Sequence, residues 1–232
     1  MANIYIDSTA GGAANGTTWA DAYLTCAAAE AKPWTNADTV WVAENHAEST
    51  AAAITVDLPT TPGMRLLCGD SAAEPPTALA TTGSVSTTGA NGHISFSGHA
   101  YIYGIVFNCS SAANAGNIRL PNSSGSAAIT LDSCKFTLVG SNAANTIGIG
   151  DATSATNKDC MTTLINPVFK FAGVGQSVQL RHGNIRISGA TIDAAGSAPT
   201  TLFTMSADAA ISAVVEASDL SGKTWTNLIS QS

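Results

Sequence analysis

Five segments after residue 100 share one local pattern, in which an aliphatic residue is followed five positions later by a bulky apolar residue. Successive segments begin 23 to 33 residues apart, a range typical of solenoids and other repeat arrays. The segments lack helical periodicity, so they favour stacked β-coils whose corners vary in length. The pairs are Ile102 and Phe107, Leu131 and Phe136, Leu164 and Phe169, Ile187 and Ile192, and Val215 and Leu220.

The odd spacing predicts a bend between two side chains that both face inward. Side chains on one face of a straight strand are an even number of residues apart. A small or turn-forming residue lies two positions after the first member of each pair, where it eases the bend. These residues are Gly104, Ser133, Asn166, Gly189 and Ala217. We therefore expect the ten paired residues to form a structural core column, although a β-sandwich with coincidental spacing is the open alternative.

The first 92 residues carry separate signals. Thr18 and Asp21 form an acidic variant of the capping box, and Pro33 ends the apolar stripe that follows, so a helix is expected over Thr18–Lys32. The Pro-, Ala-, Thr- and Gly-rich residues 69–92 predict a long loop. Strands are expected over residues 3–7, 38–43, 54–58 and 64–68.

Three motifs follow one another at the start of the chain: Ile4–Asp7, the Gly-Thr-Thr-Trp stretch of Gly16–Tyr23, and the Asp-Thr-Val stretch of Asp38–Ala43. This order resembles the amino end of pectate-lyase-like right-handed β-helix proteins. The resemblance implies an all-β fold, a single-stranded right-handed parallel β-helix (solenoid) with a short N-terminal capping α-helix. It does not specify function, because the family includes lyases, hydrolases, adhesins and phage proteins. The expected cap residues are Thr18, Trp19, Tyr23 and Leu24.

We expect residues 1–232 to form a single β-helix domain. An apolar coil end needs a cover, so Leu220, Trp225, Leu228 and Ile229 are expected to fold over the last coil. The expected segments are a cap strand, helix and first strand (1–43), first coils and a long loop (44–92), repeating coils (93–220) and a C-terminal cap (221–232).

Composition narrows the classes of partner. Only 11% of residues are charged and the formal net charge is −7, with no basic cluster, which argues against nucleic-acid binding. No apolar run is long enough for a membrane span. The five cysteines lack a CxxC motif and the N-terminus lacks a secretory pattern, so buried, reduced thiols in a cytoplasm are expected.

The residues that usually carry chemistry are scattered. His46, His93, His99 and His182 are isolated in sequence and match no zinc motif, and no calcium-loop sequence is present. We therefore expect no catalytic residue, cofactor or metal. The acids of the repeat region occupy dissimilar repeat positions: Asp132, Asp151, Asp159, Asp193, Asp208, Glu216 and Asp219.

Three weaker alternatives stay open. Arg181, His182 and Arg186 are close in sequence and could form a catalytic or sugar-binding cluster. Asp151 and Asp159 could act as the carboxylate pair of a glycoside hydrolase. Four aromatic residues could stack on sugars, although core packing is the expected role. They are Trp34, Trp41, Tyr101 and Tyr103.

These observations favour a non-catalytic phage virion structural protein, assembled in the bacterial host cytoplasm. Within that class we expect a capsid decoration (cement) protein that binds the major capsid protein, or copies of itself as a dimer or trimer. The loops at residues 69–92 and 141–160 are the expected contacts with the coat. The alternatives are a tail spike or fibre component, or a carbohydrate-active β-helix enzyme. A cell-surface adhesin would need an export signal, which the sequence does not show.

Overall fold

The structure is a computed structural model in which parallel β-sheets account for almost all regular structure. The described residues contain one helix, α1 (Cys26–Glu30), and three sheets whose paired strands all run parallel. An antiparallel β-sandwich is therefore wrong for this chain. The structure describes residues 1–90, 92–109, 116–121, 127–150, 160–205, 211–221, 224 and 226–231.

The first sheet has eight strands, whose spatial order follows their order along the chain. They are β1 (Asn3–Ile6), β2 (Thr39–Ala43), β5 (Arg65–Gly69), β8 (Ala100–Tyr103), β11 (Ala128–Asp132), β14 (Met161–Ile165), β17 (Gly183–Ser188) and β20 (Ile211–Glu216).

The other two sheets have six and seven strands. The second contains β3 (Ala47–Thr50), β6 (Ser84–Thr87), β9 (Val106–Cys109), β12 (Lys135–Leu138), β15 (Val168–Lys170) and β18 (Thr191–Ile192). The third contains β4 (Ile54–Asp57), β7 (Ile94–Ser97), β10 (Ile118–Leu120), β13 (Thr146–Ile149), β16 (Ser177–Leu180), β19 (Thr201–Met205) and β21 (Asn227–Gln231).

From β2 to β19 the chain visits the first, second and third sheets in a fixed order. Neighbouring strands within a sheet occupy the same place in successive circuits of the chain. This arrangement is consistent with a solenoid of the parallel β-helix kind. The apolar side chains between the sheets form one continuous core from Ile4 to Phe203.

The paired residues of the repeat lie in two register columns. In the first sheet Ile102, Leu131, Leu164, Ile187 and Val215 are successive partners. In the second sheet Phe107, Phe136, Phe169 and Ile192 are successive partners, and Leu220 follows the last bridge of that ladder. The first four members of each column are buried, whereas Val215 is 36% exposed and Leu220 is half-buried. These two lie in the last described coil, where no further described strand covers them.

The bend residue of every segment has a left-handed backbone. The φ angles are 73° at Gly104, 52° at Ser133, 49° at Asn166, 68° at Gly189 and 47° at Ala217. The first four residues lie between a strand of the first sheet and a strand of the second, and Ala217 lies between β20 and the isolated bridge at Asp219. The positive φ turns the chain so that both flanking apolar residues face the core.

The expected helix over Thr18–Lys32 is wrong in extent. Only Cys26–Glu30 is helical, and its N-cap is Thr25, whose side chain accepts a hydrogen bond from the Ala28 amide. The backbone of Tyr23 instead pairs with β1, donating to the Tyr5 carbonyl and accepting from the Asp7 amide. Strand pairing at Tyr23 is incompatible with helical hydrogen bonds at the same residue.

The four expected cap residues do not form a helical face over the first coil. Trp19 packs on Tyr5 at the outer face of the first sheet, with ring centroids 4.8 Å apart. Tyr23 packs against the main core, Leu24 is 44% exposed, and Thr18 bonds with Asp21 in a turn. The buried residues of the real helix are Cys26 and Ala29.

Two further expectations need correction. Residues 69–92 are not one loop, because β6 lies within them. Residues 227–231 do not fold over the last coil, because they form β21 and pair with β19, leaving Leu228 and Ile229 about half exposed. Trp225 lies outside the described residues.

Candidate functional site

Cys26, His46 and Glu48 form a buried cluster near the N-terminal end of the coil stack. Cys26 is the first residue of α1, His46 directly precedes β3, and Glu48 lies within β3. Because side chains alternate along a strand, residues 46 and 48 face the same side. The ligand-type atoms of the three side chains lie within 4.8 Å of one another, a grouping found only once among the described residues.

The cluster is enclosed and only partly hydrogen-bonded. The three residues are 0%, 1% and 4% exposed, respectively. Glu48 Oε2 accepts a hydrogen bond from the Cys26 amide at 2.9 Å, and His46 Nδ1 accepts one from the Ser8 amide at 3.0 Å. His46 Nε2 lies 3.6 Å from Glu48 Oε2 and has no hydrogen-bond partner among the described residues.

The same surroundings control the Cys26 thiol. Burial raises the pKa of this thiol well above its usual value, and the Glu48 carboxylate raises it further by charge and by hydrogen bonding. A protonated, enclosed thiol is a poor nucleophile and cannot meet a substrate. The chemistry open to the cluster is structural bonding or the binding of a small cation.

His46 is isolated from other ligand-type residues by sequence spacing, but the fold places it beside Cys26 and Glu48. Cys26 and His46 lie 20 residues apart on elements that meet only in the folded chain, so no ligand spacing reveals them. One signal was present, since His46 and Glu48 have the two-residue spacing of a strand face. A buried His and Glu on one face would require partners inside the core.

Two other histidines, His93 and His99, accept hydrogen bonds from the backbone. His93 Nδ1 accepts from the Asn117 amide, and His99 Nδ1 accepts from the Ala128 amide, each from the next coil. Burial, and then the charge of Arg119, lowers the pKa of His93. These histidines therefore tie adjacent coils together.

The structure separates the three residues of the possible Arg–His cluster. Arg181 follows β16 and donates to Gln179 on the third sheet. Arg186 lies in β17 of the first sheet, where its Nε donates to Glu216 at 2.9 Å. His182 is 8% exposed. The two guanidinium groups thus form hydrogen bonds on different sheets.

The acids of the repeat region have separate roles where the structure describes them. Asp132 accepts from the Tyr101 hydroxyl, Asp193 pairs with Lys135, and Asp219 accepts from Ser221. Asp151, Asp159 and Asp208 lie outside the described residues, as does the possible carboxylate pair of residues 151 and 159.

Three of the four aromatic candidates share the outer face of the first sheet. Trp41 and Tyr103 are both half-buried and lie on either side of Leu67 in register, and Tyr101 lies beside Arg65. Burial, and then a hydrogen bond to Asp132, raises the pKa of Tyr101 to about 12. Trp34 is instead buried in the core.

The fold defines the chain as an all-β protein with three parallel sheets of stacked strands. In comparisons with protein-family models, curated proteins and solved structures, nothing matched the chain. Within the described part of the chain, no helix has both the length and the apolarity that crossing a membrane requires.

Proposed function

We propose that this chain is a right-handed parallel β-helix, similar in organisation to pectate-lyase-like proteins, and that it is a non-catalytic structural protein of a phage particle. The observation that carries the proposal is the register of the repeat, in which one coil lies on the next through all three sheets. Such stacking makes a stiff body that needs no ligand to hold its shape.

Contacts between coils support a mechanical role. Phe107, Phe136 and Phe169 stack in sequence, with ring centroids 5.6 and 5.7 Å apart. His93 and His99 accept backbone hydrogen bonds from the next coil, and the buried Cys26–His46–Glu48 cluster is closed to substrates. The five cysteines are buried and form no disulfide, which fits a protein assembled in a bacterial cytoplasm.

Within this class we propose a decoration protein that binds the major capsid protein. Corners between strands present a few exposed apolar side chains, including Leu79 at 51% and Val174 at 64%. Because the coils hold these corners in place, little conformational entropy is lost on docking. Many copies on one lattice would add avidity.

The test compares phage particles that carry the chain with particles of a mutant phage whose genome lacks the corresponding gene. A decoration protein copurifies at a copy number close to that of the coat protein, and its loss lowers the genome-release temperature. Adding back the purified chain restores that temperature. An unchanged release temperature, or a copy number of only a few per particle, contradicts the decoration role.

A pair of exposed apolar residues tests the contact surface. Leu79→Glu places a charge in the segment of residues 69–92 and should weaken rebinding by about 10-fold or more. Val214→Glu, at a residue 50% exposed on the first sheet, is the matched control and should rebind normally. Equal rebinding of both variants would show that residues 69–92 do not contribute to the proposed interface.

A second candidate is carbohydrate binding, favoured by the aromatic residues on the first sheet. Trp41 and Tyr103 present partly exposed rings about two strand spacings apart, roughly 10 Å. Incubation with neutral and acidic polysaccharides, with and without calcium, distinguishes binding from cleavage. Binding that Trp41→Ala abolishes would support this function, and no binding to any polysaccharide would reject it.

A further inference from the structure

We propose that Cys26, His46 and Glu48 bind one divalent cation of the Zn²⁺ class, which joins α1 to the outermost strand of the second sheet. Thiolate, imidazole and carboxylate together suit a borderline ion such as Zn²⁺ and suit Ca²⁺ or Mg²⁺ poorly. Three protein ligands leave a fourth position for a small molecule such as water.

The first support is the distance between His46 and Glu48. At 3.6 Å, Nε2 and Oε2 are too far apart for a good hydrogen bond. Two ligands at 2.0–2.2 Å from a tetrahedral ion are about 3.4 Å apart. The two side chains are thus already close to the separation that a shared ion requires.

The second support is an unsatisfied group within an enclosed site. His46 is 1% exposed and its Nε2 has no partner among the described residues, while Glu48 places a carboxylate beside it at 4% exposure. A buried carboxylate without a full cationic partner is unfavourable. A divalent ion held by Nε2, the carboxylate and the Cys26 sulfur would remove both deficits.

Loading the site requires defined proton movements. Cys26 loses its thiol proton to solvent as the metal–sulfur bond forms. The Ser8 amide donates to Nδ1 of His46, so the neutral ring carries its proton on Nε2. That proton must pass to Nδ1, and the Ser8 hydrogen bond is then given up. No electron is transferred, and the thiolate and carboxylate together balance the 2+ charge.

The geometry must also contract. The three ligand atoms lie within 4.8 Å of one another, whereas ligand separations around zinc, including one sulfur, are about 3.6 Å or less. The sulfur therefore moves inward by about 1 Å or less on loading. Cys26 lies at the start of a five-residue helix, so a small shift of α1 provides this movement.

The test titrates chelator-treated full-length chain with Co²⁺ and then with Zn²⁺. Wild type should bind one Co²⁺ with a thiolate-to-cobalt absorption band that Zn²⁺ displaces, and Zn²⁺ should raise its unfolding midpoint. Cys26→Ser should lose the band and bind at least about 10-fold more weakly. Cys109→Ser is the matched control, because Cys109 is buried and its thiol bonds to the Gly92 carbonyl.

Glu48→Gln should keep the band and weaken binding, because it removes charge but not the sulfur ligand. X-ray absorption of the zinc-loaded wild type tests the ligand set without any variant. We expect one sulfur at about 2.3 Å from the zinc and the other ligands at about 2.0 Å. A folded wild type without the cobalt band, a band that survives in Cys26→Ser, or zinc without a sulfur neighbour would overturn the proposal.

Discussion

Phe136 lies at the centre of the phenylalanine column and is fully buried. Its ring stacks on Phe107 at an interplanar angle of 15° and on Phe169 at 28°. Each ring therefore covers the faces of its neighbours from the adjoining coils. A cavity at this position would remove contacts in three coils together.

Replacing Phe136 with Ala should lower the free energy of unfolding by about 3–5 kcal/mol, because the transfer and cavity terms add. Urea denaturation monitored by circular dichroism measures the change. Val139→Ala, at a residue that is 53% exposed and directly follows β12, is the control and should change stability by less than about 0.5 kcal/mol. Similar losses in both variants would refute the stacked column.

The hydrogen bonds that Asp38 accepts predict that the stability of the fold depends on pH. Burial alone would raise its pKa, but hydrogen bonds from the Ala2 amide and from the amide and hydroxyl of Thr35 outweigh burial and lower it. A lowered folded-state pKa means that Asp38 stabilises the fold above its unfolded pKa of about 3.9. That contribution disappears as the pH falls through the folded value.

Asp38→Asn should therefore be less stable than wild type at neutral pH, and the difference should shrink below about pH 4. Urea unfolding over a pH series gives this comparison. Thr35→Val removes one of the donors and should show the same trend with a smaller amplitude. A deficit that stays constant down to about pH 2–3 would mean that the carboxylate charge is not responsible.

The phenylalanine positions could be predicted because they repeat along the chain with a spacing that is visible in the sequence. His46 and Glu48 could not be placed with Cys26, because their contact depends on where a short helix meets an edge strand. Local periodicity in the sequence does not reveal a contact between two elements that are distant along the chain. Register between repeats is therefore easier to infer than a site formed once.

Among the structural elements, the corner between the first and second sheets is the most regular. Five successive corners use a left-handed residue, although only Gly104 and Gly189 lack a side chain. Ser133, Asn166 and Ala217 adopt the same conformation at some cost in strain. The bend is thus a property of the coil geometry, which the odd spacing of apolar residues already indicated.

Gly104 and Gly189 form a matched pair for a test of these corners. A Cβ at residue 104 would lie 2.0 Å from the backbone oxygen of Ala80, whereas at residue 189 it would meet the movable side chain of Asn166. Gly104→Ala should cost about 2 kcal/mol or more and Gly189→Ala about 1 kcal/mol. Thermal and urea unfolding provide the values, and an equal or reversed order would contradict this packing.

The helix shows where local signals mislead. Thr18 and Asp21 do bond as a capping box would, yet no helix follows them directly. Tyr23 is drawn into pairing with β1, and the helix begins only after Thr25. Tertiary pairing overrode a weak propensity, as is common for marginal helices. Strand β6 was missed for a different reason. Its sequence, Ser-Val-Ser-Thr, has too little apolar alternation to distinguish it from a loop.

For the molecule as a whole, the two ends of the stack differ. The edge of β1 is paired with the Gly16–Tyr23 segment, through bonds that join Tyr5 to Gly16 and Tyr23. At the other end, the strands of the last described coil carry exposed Val214, Leu228 and Ile229. Because the coils form a linear array, the free energy of unfolding should depend mainly on contacts between neighbouring coils.

Disulfide cross-linking of neighbouring coils tests the parallel stacking most directly. Thr130 and Thr163 are register partners in β11 and β14, and their Cα atoms should be about 4.8 Å apart, within reach of a disulfide. Arg186 lies one strand further, at about 10 Å from Thr130. We predict that Thr130→Cys/Thr163→Cys oxidises to an intramolecular disulfide and that Thr130→Cys/Arg186→Cys does not. Cross-linking of the second pair without the first would contradict the stacked coils.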